Sequence, residues 1–216
     1  MTTVLWSGPA AADRVLVLAH GAGAPMDSGW MNDMAALLGD RGIRVARFEF
    51  AYMAARREGV RRPNPRAEAV LDEYRAALEQ VRAETDAVPA IGGKSFGGRV
   101  ASMIADEEHA AGRTRALVCL GYPFHPMGKP EQLRTAHLAG LETPTLVCQG
   151  ERDIMGSRDE VAGYALSRAI SFSWAPDGDH DLKPRKASGH TLAGNLAAAA
   201  DAIAALIPPA GRAASV

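Results

Sequence analysis

Gly92-Gly93-Lys94-Ser95-Phe96-Gly97-Gly98 follows the apolar run Val88 to Ile91 and precedes a helical pattern running from Arg99 to His109. A strand, a tight turn and a helix are expected, because glycine admits a crowded backbone where any Cβ would meet the neighbouring strand and helix. Within the stretch, Gly93 to Gly97 fits G-x-S-x-G, the corner that presents a serine hydroxyl on a sharp strand-to-helix turn. Serine and glycine share turns in proteins of every kind, so Ser95 equally suits a plain turn serine. The rest of the chain has to decide between the two.

Toward the N-terminus, Val15-Leu16-Val17-Leu18-Ala19 is a continuous apolar run bounded by Asp13-Arg14 and His20-Gly21. That is the pattern of a strand buried on both faces of a parallel sheet. Val4 to Trp6 suggests a short edge strand. The turn His20-Gly21-Ala22-Gly23-Ala24-Pro25 leads to a helix over 29–40 opened by Asp27 or Ser28, and Ile43 to Phe48 reads as a second parallel strand. A long loop is expected from Tyr52 to Pro65. An amphipathic helix over 66–83 follows, with Val70, Leu71, Tyr74, Leu78 and Val81 on one face. Toward the C-terminus the pattern predicts strands at 115–121, 145–149 and 170–174, and helices near 130–138, 159–168 and 187–206. A Pro-rich tail over 208–216 is expected to fray. Strands alternating with helices in this way indicate one α/β domain over 1–216, a mostly parallel sheet with helices on both faces.

Composition narrows the partners. Lys and Arg total 24 against 25 Asp and Glu, a formal net charge of -1, which supplies no electrostatic reason to bind nucleic acid or an anionic membrane. No apolar stretch approaches the roughly 18 residues of a membrane-spanning helix, and no leader pattern is present, so a cytoplasmic protein with a small-molecule partner is expected. Its oligomeric state is left open. Cys119 and Cys148 sit inside apolar, strand-like runs without C-x-x-C spacing, and are expected as buried inert thiols.

In an open parallel sheet, ligands bind outside the carboxyl ends of the strands. Four such ends carry the glycine-rich turn at His20, then Ser95, then Asp153, then the loop Pro176-Asp177-Gly178-Asp179-His180-Asp181. Serine, acid and histidine therefore occur in the chain order Ser, Asp, His. Competing motifs fail on single residues. A phosphate loop ending in Lys94-Ser95 would need glycine where Val88 stands, and a dinucleotide fingerprint from Gly21 would need glycine at Met26. A calcium loop from Asp177 would need glycine at Leu182 and glutamate at Ser188. No cofactor and no metal are expected.

Leu18-Ala19-His20-Gly21-Ala22-Gly23, the 92–99 stretch, Gly121-Tyr122-Pro123, Gln149-Gly150-Glu151-Arg152-Asp153 and Gly178-Asp179-His180-Asp181-Leu182 together resemble one known family. It is the α/β-hydrolase-like family that includes bacterial predicted hydrolases and vertebrate testis-expressed protein 30. More distantly, the chain is similar to dienelactone hydrolases. The resemblance implies an α/β-hydrolase fold and a carboxylesterase-like serine hydrolase of small ester or thioester substrates.

The expected roles follow from the chemistry. Ser95 is the nucleophile, His180 its general base, and Asp153 the group that orients the imidazole. The backbone N–H groups of Phe96 and Ala22 would receive the oxyanion, while His20, Gly21, Gly23, Gly93, Gly97 and Tyr122 shape the site. Asp153 also suits a helix cap, and His190 is the alternative base. His125 and His137 are expected to be solvated or to line the mouth. The basic stretch Arg56, Arg57, Arg61, Arg62 and Arg66 suits either attraction of a carboxylate- or phosphate-bearing substrate or simple solvation. Phe172, Trp174 and Leu182 are expected in the core. The segment 122–143 is too short for a lid domain, which favours an open site. Two other functions remain open: a non-catalytic interaction or scaffold protein, and an acyltransferase.

Overall fold

The described residues form seven strands: β1 (Val4–Ser7), β2 (Val15–Ala19), β3 (Arg44–Phe48), β4 (Ala90–Lys94), β5 (Leu117–Leu120), β6 (Thr145–Gly150) and β7 (Ile170–Ala175). They make one sheet in the order β1-β3-β2-β4-β5-β6-β7. A computed structural model describes residues 3–60 and 62–209; Arg61 and positions 210–216 of the expected tail lie outside the described residues. Among the described residues, only the edge strand β1 runs antiparallel, pairing Val4 with Phe48 and Ser7 with Val45. The apolar run Val15–Ala19 is buried at every position, as a central parallel strand requires.

Helices cover both faces. On one, α1 (Gly29–Asp40) and α6 (Leu192–Leu206) pack Met31, Met34, Leu38, Leu196 and Ile203 against Leu16, Leu18 and Val118. On the other, α3 (Leu71–Ala83) and α4 (Phe96–Ala110) pack Tyr74, Leu78, Val100 and Ile104 against Val17, Ile91 and Cys119. Phe172 and Trp174 pack against this second cluster with their rings stacked, and Leu182 is fully buried in the first. Both cysteines are free and buried, and burial pushes the Cys148 thiol up to about 12. Among the described residues, no helix is long and apolar enough to cross a membrane.

Several elements differ from expectation. The strand expected at Val88 to Ile91 begins at Ala90 and runs on through Gly92 and Gly93 to Lys94, while Val88 is exposed. Those glycines are strand residues, paired with Val118 and Cys119 of β5, and a Cβ on Gly92 would meet the Val118 backbone. The loop expected from Tyr52 contains α2 (Ala51–Arg57), short but pinned by Glu73 accepting from the Ala51 N–H at 2.6 Å and by the Arg57–Glu49 ion pair. The helix expected at 130–138 is only a 3-10 turn, Ala136–Leu138. The one expected at 159–168 shrinks to α5 (Arg158–Val161), capped by a Ser157–Glu160 capping box. Beyond it, Tyr164 packs on Phe124 and Ser167 bonds Leu141 and Leu138, contacts that outcompete helix continuation. The last helix starts at Leu192 because Gly189 takes a left-handed φ of 78°, and Thr191 then caps α6.

Candidate active site

Ser95 sits between β4 and α4 at φ 49°, a conformation that costs a non-glycine residue of order 1–3 kcal/mol and persists only where the surroundings enforce it. The surroundings are visible. A Cβ on Gly97 would lie 2.6 Å from the His20 carbonyl and 2.7 Å from that of Ala19, and a Cβ on Gly93 would enter the Gly97–Gly98 backbone. The Ser95 N–H donates to the Leu120 carbonyl at 2.8 Å, which ties the corner to β5.

Two further strand ends converge on the hydroxyl. Ser95 Oγ lies 2.8 Å from His180 Nε2, and His180 Nδ1 lies 2.8 Å from Asp153 Oδ2. A carboxylate only accepts, so Nδ1 carries the proton, and Nε2 is left to accept from the serine. Asp153 is fully buried after β6, where Oδ1 accepts from the Met155 N–H at 2.9 Å and Oδ2 also accepts from Gln149 Nε2 at 2.8 Å. Its carboxylate faces His180 and does not cap α5; Ser157 does that. His190 is exposed ahead of α6, and among the described residues its only hydrogen bond runs from its backbone N–H to Ser188 Oγ.

The loop carrying His180 is held from below. Lys94, next to the serine, donates from Nζ to the His180 carbonyl at 2.8 Å and pairs with Asp181 at 3.1 Å. Burial lowers its pKa below the ordinary lysine value, with Asp181 opposing. The chain crosses the strand ends so closely that a Cβ on Gly121 would lie 2.5 Å from the His180 carbonyl, and one on Gly150 would strike the Asp179 and Gly178 carbonyls. Asn195 on α6 donates to the carbonyls of Pro176 and Leu182 and closes the loop's far side.

His20 is fully buried, and burial lowers its pKa below the ordinary value. Its Nε2 accepts from the Phe50 N–H at 3.2 Å, so Nδ1 is the donor to the Gly21 carbonyl at 2.6 Å. In a trans peptide the carbonyl and the following N–H point opposite ways, so drawing the Gly21 carbonyl to one side aims the Ala22 N–H to the other. Ala22 and Phe96 both line the cleft beside Ser95, and neither N–H has a hydrogen-bond acceptor among the described residues. Phe96 opens α4, where the N–H groups of the first turn lack intrahelical partners.

Ser95 stands where two clefts meet. One, about 680 Å³, is lined by Ala22, Phe96, Arg66, Arg99, Arg134 and Met155 among others; the second, about 380 Å³, by Gly21, Gly23, Trp30, Lys94 and His180. Tyr122 lines neither. It is buried beneath the site, donates its hydroxyl to the Arg134 carbonyl at 3.1 Å, and is held through its backbone by Gln149. His125 is buried, not solvated, and His137 is half-buried with Nε2 at 2.8 Å from Ser102 Oγ. The basic stretch divides as well. Arg57 is spent on Asp27 and Glu49, Arg56 bonds Asn64, and among the described residues of the stretch only Arg66 lines the cleft. Lys94, Gln149, Arg99 and Arg134 are not among the site residues that the sequence singles out. Lys94 and Arg99 stand in the 92–99 stretch and Gln149 opens the 149–153 stretch, both of which carry the resemblance, whereas Arg134 stands in none.

A family model described as an alpha/beta hydrolase domain matches residues 12–208. Among solved structures, an alpha-beta serine hydrolase homologue from Coxiella burnetii superposes with a TM-score of 0.71 at 15% identity, covering 95% of this chain and 91% of its own. A serine hydrolase from Xanthomonas campestris, described as lacking a lid, gives 0.70 at 20% identity over 95% and 89%. Dienelactone hydrolase from Anabaena variabilis gives 0.71 at 19% over 95% and 90%. Identities this low bear on the fold alone.

Proposed function

Because this chain belongs to the alpha/beta hydrolase family, we propose that it is a serine hydrolase, carboxylesterase-like, that cleaves small esters or thioesters through an acyl-enzyme on Ser95. The observation that carries the proposal is the unbroken chain Ser95 Oγ, His180 and Asp153, each link 2.8 Å. Ser95 Oγ attacks the acyl carbon while its proton passes to His180 Nε2, and Asp153 stabilises the imidazolium. The oxyanion is met by the Phe96 and Ala22 N–H groups, the latter aimed by His20. Collapse breaks the acyl C–O or C–S bond, and His180 returns the proton to the leaving group. Water then attacks the acyl-enzyme with His180 again as base, releasing the acid and restoring Ser95.

Residues 121–144 hold no element beyond the 3-10 turn at 136–138, which supports an open site and small soluble substrates. A single domain over 1–216, a cytoplasmic location, a small-molecule acyl substrate and no nucleic-acid partner belong to the same proposal. The test is labelling by a fluorophosphonate probe together with turnover of 4-nitrophenyl acetate. Both are expected in the wild type and neither in Ser95→Ala. Labelling that persists in the variant refutes the nucleophile. A wild type that takes no label and turns over no ester in a broad acyl panel points to the scaffold alternative.

A further inference from the structure

The larger cleft at Ser95 holds more positive charge than the protein neutralises. Arg66, Arg99 and Arg134 line it against the single carboxylate of Glu68. Glu68 is largely exposed and accepts from Arg99 Nη2 at 2.8 Å, while Arg99 Nε is buried with no partner among the described residues. Arg134 is fixed through its backbone, its N–H donating to the Phe124 carbonyl at 2.7 Å and its own carbonyl accepting from Tyr122. Its guanidinium has no hydrogen bond or ion pair among the described residues. Burial lowers the Arg134 pKa below its ordinary value, and the neighbouring Arg99 charge lowers it further. Like charges held together in a part-buried place are unfavourable until an anion joins them.

Position assigns a side to that anion. The Arg99 N–H bonds the Ser95 carbonyl at 3.0 Å, so Arg99 stands one helical turn after the serine on the same face of α4, with its Cβ directed back toward the helix N-terminus. His180 lines the other cleft and not this one. A leaving group that takes its proton from His180 departs on the His180 side, so the acyl chain lies on the arginine side. Pro123, Pro126, Leu133 and Met155 supply apolar wall there for a methylene chain.

We propose that the Arg99–Arg134 cleft is an acyl-side anion subsite, and that the preferred substrates are monoesters or thioesters of short dicarboxylic acids, whose free carboxylate these guanidiniums bind. The proposal rests on the serine-hydrolase function above and adds the charge and sidedness of the substrate. Guanidinium pairs hold carboxylates through parallel N–H donors, a contact that is both strong and orienting.

The experiment compares 4-nitrophenyl hemiglutarate with 4-nitrophenyl valerate, equal in length and differing in the terminal carboxylate. The wild-type kcat/KM ratio is expected to favour the hemiglutarate by about 10-fold or more, the scale of charge-assisted hydrogen bonds. Arg134→Met should lower that ratio about 10-fold and Arg134→Glu should bring it below one. A wild-type ratio at or below one, or a ratio that neither substitution moves, overturns the proposal. So does a larger advantage for 4-acetoxybenzoate over phenyl acetate, which carry the difference on the leaving group. If no ester is hydrolysed and Ser95 takes no probe, the hydrolase function fails separately. Calorimetric titration of monomethyl glutarate onto the Ser95→Ala protein then decides the subsite: binding that Arg134→Met abolishes supports it, and absence of binding overturns it.

Discussion

Asp153→Asn isolates what the buried carboxylate contributes. Asp153 accepts three hydrogen bonds, from Met155 N–H on Oδ1 and from Gln149 Nε2 and His180 Nδ1 on Oδ2. Asparagine offers one acceptor and one donor in their place. With its NH₂ toward Met155 it loses one bond; with its NH₂ toward His180 it loses two and forces the wrong imidazole tautomer. Gln149 does not turn to accommodate the second arrangement, because its Oε1 accepts from the Tyr122 N–H at 2.7 Å while Nε2 donates to the carbonyls of Tyr122 and Gly156. The first arrangement therefore prevails, the tautomer is kept, and the rate loses only the charge that stabilises the imidazolium.

At about 4 Å and an effective dielectric constant of about 20, that charge is worth about 4 kcal/mol, or roughly 10³ in kcat. The orphaned Met155 N–H costs about 1–3 kcal/mol of stability, partly offset by no longer burying a carboxylate. Steady-state hydrolysis of 4-nitrophenyl acetate with urea denaturation of the same preparations reads both quantities. A loss of less than 10-fold would refute the use of the charge. A loss as complete as that of Ser95→Ala would refute the Gln149 lock.

Two other expectations concern stability. Gly97→Ala places a methyl group 2.6–2.7 Å from two backbone carbonyls of β2 and its turn, which have little room to retreat, so the midpoint of urea unfolding should fall by the equivalent of about 1–3 kcal/mol; an unchanged midpoint would show that the turn yields. His20 and His137 both have pKa values lowered by burial from the ordinary 6.5, so the unfolded chain binds more protons than the folded one on the acid side of that value. Their contribution is present above about pH 6.5 and is lost as pH falls through the folded values. Stability measured by denaturant titration should decline from about pH 6.5 downward, and the upper part of that decline should flatten in His20→Gln/His137→Gln; an identical slope in the variant would count against the assignment.

Local chemistry made part of this legible in advance. Val15–Ala19 announces a buried parallel strand, and the order of Ser95, Asp153 and His180 after strand ends needs only the chain. What stayed hidden depends on who meets whom in space. Gly92 and Gly93 read as turn residues because nothing local says that β5 passes against them. The helical pattern after Ser157 stops at Val161 for the sake of Phe124 and Leu141, residues distant in the chain. Lys94 reads locally as a nucleotide lysine or as part of the 92–99 stretch, because its partner, the His180 carbonyl, lies 86 residues away. Arg134 gave no signal, because a guanidinium without a partner is recognisable only once its neighbours are known.

His180 is seated by contacts that lie before residue 186 of the loop that carries it. His180 is anchored within the first residues after β7, by the Lys94 tether, by the glycine shelves at Gly121 and Gly150, and by the burial of Leu182. Arg185 belongs to those anchors, its backbone N–H and guanidinium donating to Asp177, and the stretch 186–190 beyond it turns at the left-handed Gly189 before α6 begins. A peptide tag or reporter could therefore be grafted at that outer bend with the imidazole still seated on the sheet, whereas a single added residue between Ala175 and His180 would slide the base off its rest.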